Sequence, residues 1–108
     1  MKRRVRFAII YAPEVGRHVD AIEPKHHGLI RRAIQEQLTF APDERTRNRK
    51  PLEDQPCPFG ATWELRCGPG NRFRVCYEIA RESCQVWILA IGVKDRDRLL
   101  VAGEELDS

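Results

Sequence analysis

Residues 62–79 read TWELRCGPGNRFRVCYEI, two runs of strict alternation joined by Gly-Pro-Gly-Asn. Trp63, Leu65 and Cys67 alternate with Thr62, Glu64 and Arg66, then Phe73, Val75, Tyr77 and Ile79 with Arg72, Arg74, Cys76 and Glu78. Successive side chains of a strand point to opposite faces, so each run reads as a half-buried strand and the pair as a hairpin. Glycine and asparagine tolerate the positive φ that tight turns require, which sets the turn at 68–71. Residues 85–92 (QVWILAIG) are apolar on both faces, the pattern of a strand covered on both sides and therefore central. Any fold for this chain must be built around those three strands.

The N-terminal third supplies what covers them. Residues 4–10 (RVRFAII) alternate at first, with Val5, Phe7 and Ile9 on one face, and read as another strand. Pro13 suits the first turn of a helix and Glu14 its positive end. Val15, Val19 and Ile22 then form one apolar stripe. Pro24 closes that helix and opens a second, whose stripe is Ile30, Ile34 and Leu38, widened by Leu29 and Ala33. Pro42 ends it. Residues 42–61 hold four prolines, a glycine and the basic run 45–50, and read as a long loop. Residues 94–101 (KDRDRLLV) suit a helical turn or an edge strand.

The expected fold is α+β, in the order β-α-α-β-β-β: a small, mostly antiparallel sheet with two N-terminal helices on one face. A length of 108 residues fits a single domain spanning 1–108. Two helices cover only one side of the sheet, so the other is open. The alternation places Arg66, Arg72 and Arg74 there, with Glu64 and Glu78 beside them. Guanidinium groups on one face of neighbouring strands repel unless an anion lies between them. Salt bridges to Glu64 and Glu78 would meet that need, and so would an RNA phosphate.

Charge sharpens the choice. Hydrophobic residues make up 42% and charged residues 32%, a globular balance, and the net charge is +3. The first fifty residues carry twelve Lys or Arg against six Asp or Glu, and the remainder seven against ten. Fifteen of the nineteen basic residues are Arg, whose planar fork binds phosphate bidentately and stacks on bases. No apolar run approaches the ~20 residues of a membrane span. The start MKRRVRFAII lacks a following small-residue cleavage site, so a cytoplasmic protein without a membrane partner is expected. Cys57, Cys67, Cys76 and Cys84 form no C-x-x-C pair and read as reduced packing residues, with no metal site and no cofactor.

The segments RNRKPLE, WELR, RFRVCYEI and ILAIGVKDRDR, in this order and spacing, resemble the RelE/ParE superfamily of bacterial toxins. The resemblance spans nearly the whole chain. It implies a toxin of a type II toxin–antitoxin system, with a cognate antitoxin as partner. RelE- and HigB-like members cut mRNA on the ribosome through attack of a ribose 2′-OH on the neighbouring phosphate, a chemistry for which arginines can supply the positive charge without metal. Carried over residue by residue, Arg74 matches the arginine that contacts the scissile phosphate, and Arg66, ending WELR, the second basic group of that cleft. Lys94, after Ala-Ile-Gly, falls where many relatives have a catalytic arginine. Arg47, Arg49, Lys50 and Arg72 would bind RNA around these three.

The lysine pair of RelE-like nucleases is replaced here by Thr62 and Glu64, and all three histidines precede residue 28, so the general base and acid have no obvious candidate. That departure keeps open a ParE-like, non-enzymatic inhibitor of DNA gyrase, in which Arg66 and Arg74 are salt-bridged scaffold. A copy retaining only antitoxin binding is also compatible.

Overall fold

The computed structural model describes residues 5–52 and 58–105. Strand β1 (Ala8–Tyr11) leads into helix α1 (Val15–Asp20), a short 3-10 turn (Pro24–His26) and helix α2 (His27–Leu38). Strands β2 (Arg49–Pro51), β3 (Trp63–Cys67), β4 (Phe73–Ala80), β5 (Gln85–Asp95), β6 (Arg98–Val101) and β7 (Glu104–Glu105) complete one sheet, ordered β2-β3-β4-β5-β6-β7. All pairs along that path are antiparallel. The architecture is α+β, with both helices against one face.

Strand β5 is central, as its doubly apolar sequence requires. One edge bonds to β4, and the other is divided between β1, parallel along Gln85–Ile88, and β6, antiparallel along Gly92–Asp95. Helix α1 fills the gap between those two partners. His18 is buried there, and its Nδ1 accepts the backbone N–H of Ile91 at 3.3 Å. A β-bulge at Leu89, where Cys76 pairs with Ala90 but Tyr77 with Ile88, resets the alternation of β5. Val86 and Ile88 face the helices before it and Ile91 after it.

Ile30, Ile34 and Leu38 of α2 and Val15 of α1 pack onto Leu65, Phe73, Val75, Tyr77, Val86, Ile88 and Ile91. Leu29 departs from the expected stripe and is exposed, because its position lies beyond the arc of α2 that the sheet reaches. A smaller cluster, Ala61, Cys76, Ala90 and Val101, lies on the opposite face, with Leu52 and Leu99 against it. That face is therefore open only in part.

The hairpin turn lies at Pro69–Asn71, with positive φ at Gly68, Gly70 and Asn71. At Gly68 a Cβ would stand 2.4 Å from the Phe73 ring, so glycine is also needed for close packing.

Within the 42–61 segment, the described residues 42–52 are more ordered than a free loop. Thr46 and Arg49 exchange backbone hydrogen bonds, and the Thr46 hydroxyl accepts the N–H groups of Asn48 and Arg49. Tyr77 OH donates to Pro42 O at 2.7 Å from a fully buried position. Burial raises that phenol's pKa far above the ordinary range, the nearby Arg49 charge opposing it in part.

One cysteine differs from expectation. Cys76 is disulfide-bonded, whereas Cys67 and Cys84 carry free thiols; Cys57 lies outside the described residues. Disulfide formation depends on how closely two Cβ atoms approach, which the fold decides and sequence spacing does not show. Cys67 is buried, and desolvation pushes its thiol pKa up to about 11.

Candidate functional site

Opposed residues of an antiparallel pair share a face, so register dictates what meets on the side away from the helices. Lys50, Glu64, Cys76 and Ala90 make one row, and Arg66, Arg74, Gly92 and Val101 the next. Lys94 and Leu99 follow, with the Lys94 N–H bonded to Arg72 O at 2.8 Å. Two arginines thus stand directly opposite each other on adjacent strands.

Glu64 makes that pairing tolerable. Its Oε1 accepts Arg74 Nη1 at 3.1 Å and Arg66 Nε at 3.2 Å. The carboxylate is nearly buried, with 11% of its side chain exposed, against 15% for Arg74 and 31% for Arg66. Arg74 Nε also donates to Asn71 O at 3.1 Å, so the hairpin turn and Glu64 hold that guanidinium from two sides. Arg66 is fixed along its backbone instead: its N–H reaches Asn48 O at 2.7 Å, and its carbonyl accepts Asn48 Nδ2 at 3.2 Å. The alternative pairing of Arg66 with Glu78 is not formed, since Glu78 accepts the Thr62 hydroxyl at 3.0 Å.

The other candidates fall in different places. Lys94 lies inside β5 rather than beyond its end, because the strand continues to Asp95. Lys50 stands opposite Glu64 on β2, and Arg47 is exposed just before that strand. Arg72 is exposed with its guanidinium 5.8 Å from the centre of the Phe73 ring, within cation–π range.

Arg49 is buried. Its Nη1 donates to Gln37 O at 2.5 Å and to Ala41 O, and its Nε to the Thr46 hydroxyl at 3.4 Å. That guanidinium serves the carbonyl end of α2, where a cation also complements the helix dipole. A basic run thus divides between interior and surface: Arg49 and Lys50, neighbours on β2, face opposite ways, and Arg47 lies in the turn before the strand.

Asn48 and Asn71 were not singled out by their side-chain chemistry, although both frame the arginine pair. Asn71 is legible in the sequence as a turn residue, and its contribution to the site is its carbonyl, which accepts Arg74 Nε. Nothing in the sequence marks Asn48, whose role depends on the β2–β3 register. Among the described residues no group of three or more His, Cys, Asp or Glu is placed to hold a metal ion. Among the described residues no helix is long and apolar enough to cross a membrane.

A mostly antiparallel sheet with two helices on one face and an arginine pair clamped by Glu64 on the other defines a small α+β domain. The same fold occurs in the crystal structure of the toxin–antitoxin complex RelBE2 from Mycobacterium tuberculosis, with a TM-score of 0.62 and 22% identity, covering 83% of this chain and 100% of that one. At that identity the likeness concerns the fold. No family model and no curated protein matches the sequence.

Proposed function

We propose that this chain is the toxin of a type II toxin–antitoxin pair and acts as a metal-independent, ribosome-dependent mRNA endonuclease. The observation that carries the reading is the Arg66–Glu64–Arg74 arrangement on the face opposite the helices. One carboxylate oxygen binds one N–H of each guanidinium, leaving each fork with further donors. Two pre-positioned forks suit the non-bridging oxygens of a phosphodiester, whose charge grows when a 2′-OH attacks. Their fixed orientation lowers the reorganisation needed as that charge develops. Lys94 and Arg72, in the next row, would extend positive charge to the flanking phosphates, and Lys50 and Arg47 would do so at the β2 edge. Arg49, occupied with the end of α2, is left out of this set. The fold shared with a toxin–antitoxin complex and the RelE/ParE-like motifs support the assignment, and with it a cognate antitoxin as partner.

The ion pairs favour a second reading as well. If Glu64 neutralises the arginines permanently, they are scaffold and the chain acts by protein contact, as a ParE-like gyrase inhibitor would. Pulse-labelling of cells during tightly controlled expression without antitoxin separates the two. Prompt loss of protein synthesis with DNA synthesis continuing is expected; prompt loss of DNA synthesis would replace the nuclease reading with gyrase.

A further inference from the structure

A second polar cleft adjoins the arginine pair, between α2 and the β3–β4 turn. It encloses about 250 Å³, and its polar lining comes from Arg32, Glu36, Gln37, Asn48, Arg66 and Asn71. Arg66 belongs to both places: its Nε is committed to Glu64, and the residue also lines this cleft. Arg32 is exposed and lines the cleft from α2. It makes no ion pair among the described residues, although Glu36 follows it by one helical turn.

We infer that this cleft is a subsite for the ribonucleotide unit next to the one held by Arg66 and Arg74, with Arg32 taking its phosphate and Glu36 its ribose hydroxyl. The inference rests on the RNA-directed reading above. An α-helix is about 10–12 Å across with its side chains, so the cleft cannot seat one. An acidic peptide would meet Arg32 and Arg66 favourably but be repelled by Glu36. A ribonucleotide suits both kinds of group, because it carries an anionic phosphate and a neutral 2′-OH that can donate to a carboxylate. The Asn48, Asn71 and Gln37 amides offer both donors and acceptors for the remaining polar atoms.

The test is binding of fluorescein-labelled octauridylate, followed by anisotropy over a series of salt concentrations. Loss of one phosphate contact from a single strand flattens the log Kd against log salt slope by about 0.7. Arg32→Ala is expected to do so, whereas Arg17→Ala, which removes an exposed arginine of α1 outside the cleft, leaves the slope unchanged. Glu36→Ala is expected to reduce the preference for octauridylate over its deoxy counterpart several-fold. An unchanged slope in Arg32→Ala, with binding lost in Arg74→Ala, would overturn the subsite and leave the RNA reading standing. Weaker binding of a polyglutamate peptide by Arg32→Ala, with RNA binding intact, would also overturn it. Failure of the unaltered protein to show any salt-dependent RNA binding would remove the reading and the subsite together.

Discussion

Arg66 and Arg74, opposite each other on β3 and β4, are held together by a single oxygen of Glu64. Two like charges in this register destabilise a sheet by themselves. The nearly buried carboxylate converts the repulsion into a fixed pair of guanidinium forks.

Arg74→Ala should lower toxicity or RNA cleavage by on the order of 10²–10³, the usual loss when a group aimed at developing charge is removed. Thermal unfolding should shift little, because Glu64 retains Arg66 as partner. Growth after induced expression, with unfolding of the purified variant, checks both halves. A variant that is fully toxic would exclude phosphate contact by Arg74 as the mechanism.

Glu64→Ala leaves the two arginines facing each other without their anion. The expected cost is about 1–3 kcal/mol, less than for a wholly buried pair because Arg66 keeps some water. Added inorganic phosphate should recover more stability in this variant than in the unaltered protein, by occupying the vacated place between the forks. Urea unfolding with and without phosphate measures the difference.

Arg47 and Arg49, two residues apart in one basic run, should behave oppositely. Arg49→Ala strips the end of α2 of its hydrogen-bond donors and should cost about 2–4 kcal/mol, with no specific effect on RNA binding beyond that of unfolding. Arg47→Ala should leave stability within about 0.5 kcal/mol, since its side chain is exposed, and weaken RNA binding modestly. Denaturant midpoints and RNA titrations on both variants test the contrast.

Tyr77→Phe removes the donor to Pro42 O and leaves a carbonyl unpaired beside the core. A loss of about 1–3 kcal/mol is expected, read as a lower urea midpoint with an unchanged slope.

Stability should also depend on His18. Burial lowers its pKa, the Arg17 charge adds to that effect, and Glu14 partly opposes it. With the folded value below the ordinary 6.5, the unfolded chain binds more protons in the interval between the two. The contribution is therefore whole above about pH 6.5 and is lost as pH falls toward the lower folded value. Urea midpoints taken from about pH 8 down to about pH 5 should fall through this window. His18→Asn, whose amide oxygen can replace Nδ1 as the acceptor for Ile91 N–H, should flatten the profile.

The alternating runs at 63–67 and 73–79 were sufficient to place Arg66 and Arg74 on one face, because a period of two is a property of the strand itself. The doubly apolar run likewise marked β5 as central, and the stripe Ile30, Ile34 and Leu38 marked the buried side of α2. Those features depend only on local geometry and on the tendency of apolar surface to leave water. Partner choice was different. Glu64 rather than Glu78 meets Arg66, Arg49 turns inward while Arg47 does not, and Cys76 is in a disulfide. Each depends on which groups the folded chain brings together, and hydrogen bonds and ion pairs form or fail over distances of about 3–4 Å. The bulge at Leu89 shows the same division: one extra residue reverses the faces of a strand, and only pairing with β4 reveals where it falls. Sequence alone determined the layers and the charge of the open face. Tertiary structure decided the pairings, because short-range forces act between neighbours that chain distance does not identify.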